Sequence, residues 1–209
     1  MKRNAIVCTV FALSVILTAA SYVFWDIELA YYCRGLHRSL LDVAEVVTVF
    51  GEAKWYYVPI VCGFVVFRFI LKNPLWSRRF LFLLAALSAS GLINMLWKWL
   101  AGRHRPVNLF QKGLFGFDFF QIGYEWNSFP SGHAVTAFSL AMAAGILFPH
   151  WRIPAFAAAA AVALSRVVIT SHYLSDIIAG AGWGIICTLI VGQLFDRWTA
   201  GVSPAGKAD

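Results

Sequence analysis

The chain is a series of long apolar runs separated by short polar segments. A membrane-spanning helix needs about 20 mainly apolar residues, and six runs reach or approach that length. They cover Asn4–Trp25, Trp55–Leu71, Phe80–Trp97, Ala134–Phe148, Ile153–Thr170 and Ile177–Phe195. The first run follows Lys2 and Arg3 and is longer than the apolar core of a signal peptide, so we expect it to be retained. The pattern predicts an all-α, six-span transmembrane helical bundle that forms one domain over residues 1–209.

The segment between the first two runs, residues 26–54, has a mixed pattern. Four apolar side chains share one helical face, and Asp42 and Glu45 lie on the other; the apolar set is Leu40, Ala44, Val47 and Phe50. This arrangement is typical of an amphipathic helix that lies in the membrane interface. The helix is either a plain linker or a gate for substrate, and the pattern does not choose between them.

Composition supports a membrane protein. Hydrophobic residues make up 60% of the chain and charged residues 13%, against about 25% charged in soluble domains. The net charge of +7 would suit a nucleic-acid partner, but the basic residues cluster at the ends of apolar runs, where topology explains them. We therefore expect the bilayer, and no nucleic acid, as a partner. The four cysteines predict neither a structural disulfide nor a metal cluster.

Three polar blocks interrupt the apolar pattern: Lys98–Pro106, Pro130–His133 and Ser165–Asp176. Together they hold cations, three histidines, several serines and a carboxylate, which suits phosphate binding and cleavage by a histidine nucleophile without a metal. A charged side chain at the centre of a membrane helix costs roughly 2.5–3.5 kcal/mol. We therefore expect Lys98, Arg105 and Arg166 to face a wet, anion-binding cavity near the membrane surface.

The histidines have two interpretations each. His172 and Asp176 are four residues apart, so one helical turn would place them on one face, where the carboxylate fixes the ring tautomer. The same spacing suits a metal pair, although three nearby cations would repel a divalent ion. His133 begins the fourth run, where unpaired helix N–H groups bind phosphate, and it is either a general acid or an interfacial capping residue.

The blocks resemble the type 2 phosphatidic acid phosphatase superfamily, in its integral-membrane branch, whose site is shared with vanadium haloperoxidases. That pattern is Lys, six residues, Arg-Pro; then Pro-Ser-Gly-His; then Ser-Arg, five residues, His, three residues, Asp, and every position matches here. The resemblance implies His172 as nucleophile, Asp176 as its orienter and His133 as general acid. It also implies phosphate binding by Lys98, Arg105, Ser131, Gly132 and Arg166.

The resemblance implies a phosphatase without cofactor or metal that acts on lipid phosphates or diphosphates. Candidate substrates are phosphatidylglycerophosphate, undecaprenyl diphosphate, phosphatidic acid and lipid A. A lipid phosphate carrier or scramblase is the alternative, although carriage does not need the His133, His172 and Asp176 set. A vanadium-dependent haloperoxidase is a third interpretation, disfavoured because those relatives are largely soluble.

The aromatic loop before the second block and the remaining histidines have less specific interpretations. The aromatic residues of the 107–129 loop form either an interfacial belt or a lid over a lipid entry. His104 lies inside the first block without being a motif position, so we expect a supporting role. His37 and His150 are interpreted as residues that flank spans.

Topology places the three blocks on one side of the membrane. The first two flank the loop after span three, and the third follows two crossings later, so all three reach the same face. Without the motif cations, the Lys/Arg distribution favours cytoplasmic ends and a cytoplasmic loop at Lys72, Arg78 and Arg79. We therefore expect a bacterial inner-membrane protein whose active site faces the periplasm or exterior.

Overall fold

Nine α-helices account for most of the computed structural model, which describes the backbone of residues 2–201 and the side chains of residues 4–197. The charged groups of Lys2 and Arg3, used in the topology argument, and the end of the predicted domain at 202–209 lie outside the described residues. The helices are α1 (Lys2–Phe24), α2 (Asp26–Arg34), α3 (Arg38–Val49), α4 (Lys54–Val65), α5 (Pro74–Ala101), α6 (Pro106–Lys112), α7 (Gly132–Leu147), α8 (Arg152–Val168) and α9 (Leu174–Gly201). A π-helical turn, Val66–Ile70, extends α4, and short 3₁₀ turns occupy Tyr124–Trp126 and Pro149–Trp151.

The predicted all-α membrane fold is confirmed. Five segments of the described chain are long and apolar enough to cross a membrane: Asn4–Phe24, Arg38–Ile70, Pro74–Ala101, Pro149–Val168 and Leu174–Arg197. The fourth predicted span is the shorter apolar helix Gly132–Leu147. The count of six spans therefore stays a prediction, because it depends on α7 crossing the hydrocarbon layer with 16 residues.

The segment between the first two spans differs from a single amphipathic helix. It folds into two helices, α2 and α3, because the chain turns at Gly35 and restarts at His37, whose ring accepts a hydrogen bond from Ser39 N. Ala44 of α3 is buried, and Val47 packs on the core of α7 and α8. Two residues of the predicted apolar face, Ala44 and Val47, therefore pack on protein, whereas Leu40 and Phe50 are exposed.

Two helices are longer than their apolar runs, and both extensions carry motif residues. α5 begins at Pro74, with Asn73 as its N-cap, and it ends at Ala101, so Lys98 lies in its last turn. α9 begins at Leu174, so Asp176 lies in its first turn. Helix caps and first-turn polar residues lie outside an apolar count, which explains the shorter predictions.

The core of the bundle is α9, whose most apolar stretch is 56% buried, against 6% for α1. It packs closely on α7 because Gly180 and Gly184 lack side chains. A Cβ at Gly180 would lie 2.7 Å from Ser131 O, and one at Gly184 would lie 2.6 Å from Val135 O. This contact holds the start of α7, with the second motif block, against the start of α9.

Candidate active site

His172 and Asp176 lie at the junction of α8 and α9. His172 belongs to the turn after α8, so the two residues do not share a helix as their spacing predicted. The turn bends where Thr170 has a positive φ of 52°. The side chains still approach each other, with His172 Nδ1 3.5 Å from Asp176 Oδ2. At that distance the two atoms are close but not hydrogen-bonded, since His172 Nδ1 has no hydrogen-bond partner among the described residues. Catalytic hydrogen bonds are often long without bound substrate and tighten in the complex.

Asp176 is held in one orientation by every group around it. Its Oδ2 accepts hydrogen bonds from Ser128 Oγ at 2.6 Å and from Tyr173 N at 2.8 Å. The second contact is that of a helix N3 carboxylate with its N-cap residue. Its Oδ1 accepts a hydrogen bond from Arg103 Nη1 at 2.5 Å. The carboxylate is fully buried, so its direction toward His172 is set by protein contacts.

The other ring nitrogen of His172 faces a cation. Arg105 Nη1 lies 3.4 Å from His172 Nε2 and also donates to Ser171 O at 2.9 Å. Burial lowers the pKa of His172 to about 3, although its contact with Asp176 acts in the opposite direction. Arg105 retains its charge, although burial lowers its pKa too. The ring is therefore neutral at physiological pH, and its Nε2 lone pair points toward the basic side of the site.

Lys98 and Arg105 are brought together by one carbonyl. Lys98 Nζ donates a hydrogen bond to Asn127 O, and Arg105 Nη2 donates to the same oxygen at 3.3 Å. Arg105 Nε donates to Tyr124 O at 2.8 Å, and the Tyr124 ring lies 4.1 Å from the guanidinium carbon. The end of the 107–129 loop thus positions two cations of the first block.

The third cation, Arg166, lies in the last turn of α8. Its Nη1 donates to Thr48 Oγ1 of α3 at 2.9 Å, and its backbone oxygen accepts from Ser171 N and His172 N. Arg166 therefore connects α3 with the turn that carries His172. The first and third blocks contact each other directly, as the topology predicted.

The second block forms the start of α7. Ser131 occupies the N-cap position, but its hydroxyl makes no capping bond and its buried Oγ has no hydrogen-bond partner among the described residues. Ser131 N donates to Asp176 O at 3.0 Å, which joins this block to the third. His133 is the second residue of α7. Its ring lies in the electrostatic field of four charged side chains, Arg166, Glu52, Arg105 and Lys98. Gly132 lies beside Asn94, whose Nδ2 is 3.5 Å from the position of a Cβ.

His133 is covered by the turn between α3 and α4. A Cβ at Gly51 would lie 2.5 Å from His133 Cδ2 and 2.8 Å from Val162 Cγ1. This turn therefore contacts His133, and Thr48 just before it contacts Arg166. The sequence reasoning left the role of this region open, and the structure places it in contact with two motif residues.

The remaining histidines lie elsewhere. His104 Nε2 contacts Asp118 at 3.0 Å and its Nδ1 contacts Asn108 at 2.9 Å, so it braces the 107–129 loop. His37 and His150 are exposed, at the start of α3 and in the turn before α8. All four cysteines are free thiols. Among the described side chains, no group of three or more His, Cys, Asp or Glu residues is placed to hold a metal ion.

Sequence reasoning missed Arg103, Asp26, Ser128 and Asn127, which hold the motif residues in place. Arg103 and Asp26 carried a usable signal, because each is a charge beside an apolar run without a local partner. Ser128 and Asn127 carried none, since they act through short loop contacts.

Comparison with known proteins places the chain in a family. The profile of the PAP2 superfamily matches residues 79–200. A lipid A 1-phosphatase of Rhizobium etli is 31% identical over 169 residues, which cover 72% of this chain and 70% of the relative. A lipid A 1-phosphatase of Rhizobium johnstonii is also 31% identical, over 74% of this chain and 68% of that protein.

Two solved structures share the fold. A transmembrane PAP2-type phosphatidylglycerolphosphate phosphatase from Bacillus subtilis superposes with a TM-score of 0.66 at 23% identity, over 91% of this chain and 96% of that one. LpxE from Aquifex aeolicus superposes with a TM-score of 0.61 at 20% identity, over 82% of this chain and 98% of that one. The protein is an integral membrane protein of the phosphatase class. It belongs to the PAP2 superfamily, which confirms the resemblance seen in its three motifs.

Proposed function

We propose that this protein hydrolyses the phosphate or diphosphate head group of a membrane lipid through a phosphohistidine, without a metal. One observation carries the proposal: His172 is buried, with Nδ1 3.5 Å from a fixed carboxylate and Nε2 facing a cationic site, and burial lowers its pKa to about 3. A histidine in this state is a nucleophile, since the proton on Nδ1 leaves the Nε2 lone pair free. Residues 1–209 act as one phosphatase domain.

The reaction proceeds in two displacements. His172 Nε2 attacks phosphorus, the bond from phosphorus to the lipid oxygen breaks, and His133, which starts the cycle protonated, donates its proton to the departing oxygen and becomes neutral. His133 then accepts a proton from water as that water attacks phosphorus and the P–N bond breaks. Inorganic phosphate leaves, and both histidines return to their starting states. Asp176 stabilises the positive charge that His172 develops.

Three cations stabilise the transferring group. Lys98, Arg105 and Arg166 balance the charge that spreads over the equatorial oxygens in the transition state, which is the main catalytic demand of phosphoryl transfer. Ser131 supports this role because its buried hydroxyl is free to donate. Gly132, at the first position of α7, offers a backbone N–H without a side chain to block the anion.

Lipid A is the first substrate to test among the four predicted lipids. The curated relatives that match most of the chain carry the name lipid A 1-phosphatase. Phosphatidylglycerophosphate, phosphatidic acid and undecaprenyl diphosphate complete the set, since each joins a phosphate to an apolar anchor. We place the reaction at the outer face of a bacterial inner membrane, in agreement with the charge distribution of the loops.

A phosphate-release assay on the purified protein tests the proposal. We expect turnover with at least one of the four lipids, insensitivity to EDTA, and inhibition by orthovanadate, which mimics the five-coordinate phosphorus. His172→Ala should abolish turnover while remaining folded, and Asp176→Asn should lose much of the rate. Activity that EDTA removes and zinc restores would instead make His172 and Asp176 metal ligands. Lipid binding or transfer without phosphate release would favour the carrier.

A further inference from the structure

Arg103 is the most completely buried cation of the first motif block. It follows α5 in a short extended segment that pairs with Phe117, and its side chain has no exposed surface. Five aromatic rings surround the guanidinium within 6 Å, those of Tyr22, Phe115, Phe117, Phe129 and Tyr173. The residue therefore has one fixed position, and solvent has no access to its charge.

The guanidinium connects two buried carboxylates. Its Nη1 donates to Asp176 Oδ1 at 2.5 Å and to Ser175 Oγ at 2.6 Å. Its Nη2 donates to Asp26 Oδ2 at 2.7 Å. The planar fork of an arginine suits two partners at fixed angles, whereas an ammonium group is a single point of charge. Burial alone would lower the pKa of Arg103, but the charges of Asp176 and Asp26 raise it above its ordinary value.

Asp26 is the first residue of α2, at the corner with α1. Its Oδ1 accepts hydrogen bonds from Ser175 N at 2.9 Å and from Ser21 Oγ at 3.1 Å, and its Oδ2 also accepts from Ser175 Oγ. Ser175 N is one of the unpaired donors at the start of α9, where a carboxylate is favoured by the helix dipole. Asp26 therefore fixes both Arg103 and the helix start that carries Asp176.

The consequence for His172 follows from the two oxygens of Asp176. Arg103 holds Oδ1, while Oδ2 receives Ser128 and Tyr173 N and faces His172 Nδ1. If Arg103 were lost, Asp176 Oδ1 would be left without its charge partner, and only the contacts of Ser128 and Tyr173 N with Oδ2 would hold the carboxylate. The contact that sets the tautomer of His172 would then weaken.

We propose that Arg103 and Asp26 are positioning residues that orient Asp176 behind the nucleophile, which makes the corner between α1 and α2 a working part of the active site. This inference depends on the proposed phosphohistidine chemistry. Arg103 contacts the back of Asp176, and no described contact joins it to Lys98, Arg105 or Arg166. Its loss should therefore slow the chemical step and leave substrate binding intact.

The test compares kcat and KM for Arg103→Lys, Arg103→Gln, Asp26→Asn and the Asp26→Asn/Arg103→Gln double variant. Loss of a residue that orients a metal ligand lowers activity by roughly 10- to 100-fold. By analogy we expect a loss of that size in kcat for a residue that orients Asp176, with KM within about twofold of wild type. Arg103→Lys should fail to restore kcat, because one ammonium cannot hold both carboxylates. The double variant should be no slower than Arg103→Gln, because both changes break one contact chain. Arg38→Gln, at an exposed arginine that pairs with Asp42, is the matched control and should be unchanged.

Each outcome decides the inference. A raised KM with unchanged kcat would make Arg103 a phosphate ligand and overturn it, as would wild-type kcat in Asp26→Asn. Asp26→Asn keeps the oxygen that caps α9, so it gives an answer if Arg103→Gln does not fold. Wild type and His172→Ala are assayed in parallel, and equal activity in those two would refute the proposed function itself. With wild type active and His172→Ala inactive, the Arg103 series tests the positioning role alone.

Discussion

At the scale of single residues, the site separates the three cations that are proposed to bind phosphate from a fourth that pairs with two buried carboxylates. Lys98, Arg105 and Arg166 surround His172 and His133, whereas Arg103 is enclosed by aromatic rings and two carboxylates. The first motif block thus holds two kinds of cation: Lys98 and Arg105 lie beside the histidines, and Arg103 pairs with buried carboxylates. The proposed chemistry depends on a neutral His172. The same lowered pKa makes the free energy of unfolding depend on pH.

The depressed pKa of His172 predicts a stability that falls in acid. The folded state keeps the ring neutral down to a pKa of about 3, while the unfolded chain binds a proton near pH 6.5. Between those values the unfolded state holds more protons, so the free energy of unfolding decreases as the pH falls. Melting temperatures in matched detergent buffers from pH 7.5 to 4 should therefore decrease less steeply for His172→Ala than for wild type.

The control for this measurement is His150→Ala, at an exposed histidine in the turn before α8. It should follow the wild-type curve. Parallel curves for wild type and His172→Ala would show that His172 takes up its proton equally in both states, against the neutral nucleophile.

At the scale of elements, the turn between α3 and α4 is the part of the site that motif analysis did not reach. Gly51 allows the ring of His133 to lie against the backbone, and Thr48 receives Arg166. The α3 helix has an amphipathic sequence, and Val47 of its apolar face packs on the core of α7 and α8. The second span and its entry helix therefore shape the side of the site that holds His133.

Gly51→Val should displace His133 and slow the reaction. The new side chain would lie within van der Waals distance of the ring, since even a Cβ is 2.5 Å from His133 Cδ2. A positioned general acid contributes roughly 10²- to 10⁴-fold, so we expect a loss of at least tenfold in kcat on a lipid phosphate. The loss should be smaller with p-nitrophenyl phosphate, whose leaving group needs no proton.

Gly35→Val is the matched control for Gly51→Val. Gly35 also ends a helix before a turn, and a Cβ there meets only Tyr32 O, at 3.5 Å. It should retain wild-type kcat. Full activity in Gly51→Val would show that His133 does not need this position.

The element scale also shows which parts of the site are readable from sequence. The motif residues are recognisable because each lies at a fixed sequence spacing from another residue of its own block. They are Lys98, Arg105, Ser131, His133, Arg166, His172 and Asp176. Arg103 and Asp26 are 77 residues apart, so they meet only through tertiary packing, at the start of α9, where both contact Ser175. Local spacing likewise suggested that His172 and Asp176 share a helix, whereas the turn at Thr170 and the cap at Tyr173 join them.

At the scale of the whole molecule, the apolar runs predicted the helices well and their ends less well. Runs of apolar residues mark what the bilayer covers, while α5 and α9 continue past it into polar turns that carry Lys98 and Asp176. The number of crossings brings the three blocks to one face of the membrane, and the Lys/Arg distribution predicts which face it is.

Impermeant thiol labelling of intact cells tests that orientation. In a Cys33→Ser background, Ile122→Cys in the 107–129 loop should react from outside, because Ile122 is 82% exposed. Lys72→Cys, in the turn before α5, should react only after lysis. The reverse pattern would place the site in the cytoplasm and contradict the charge-based topology.

The central claim is that His172 carries the phosphoryl group, and trapping that species is the most direct measurement. Wild-type protein is mixed with a ³²P-labelled lipid phosphate, quenched in alkali within milliseconds, and digested for peptide mapping. The account predicts a label that is stable to alkali and labile to acid, on the peptide containing His172, and no label in His172→Ala. Turnover of the lipid with no labelled protein at any time point, or a label that remains in His172→Ala, would contradict it.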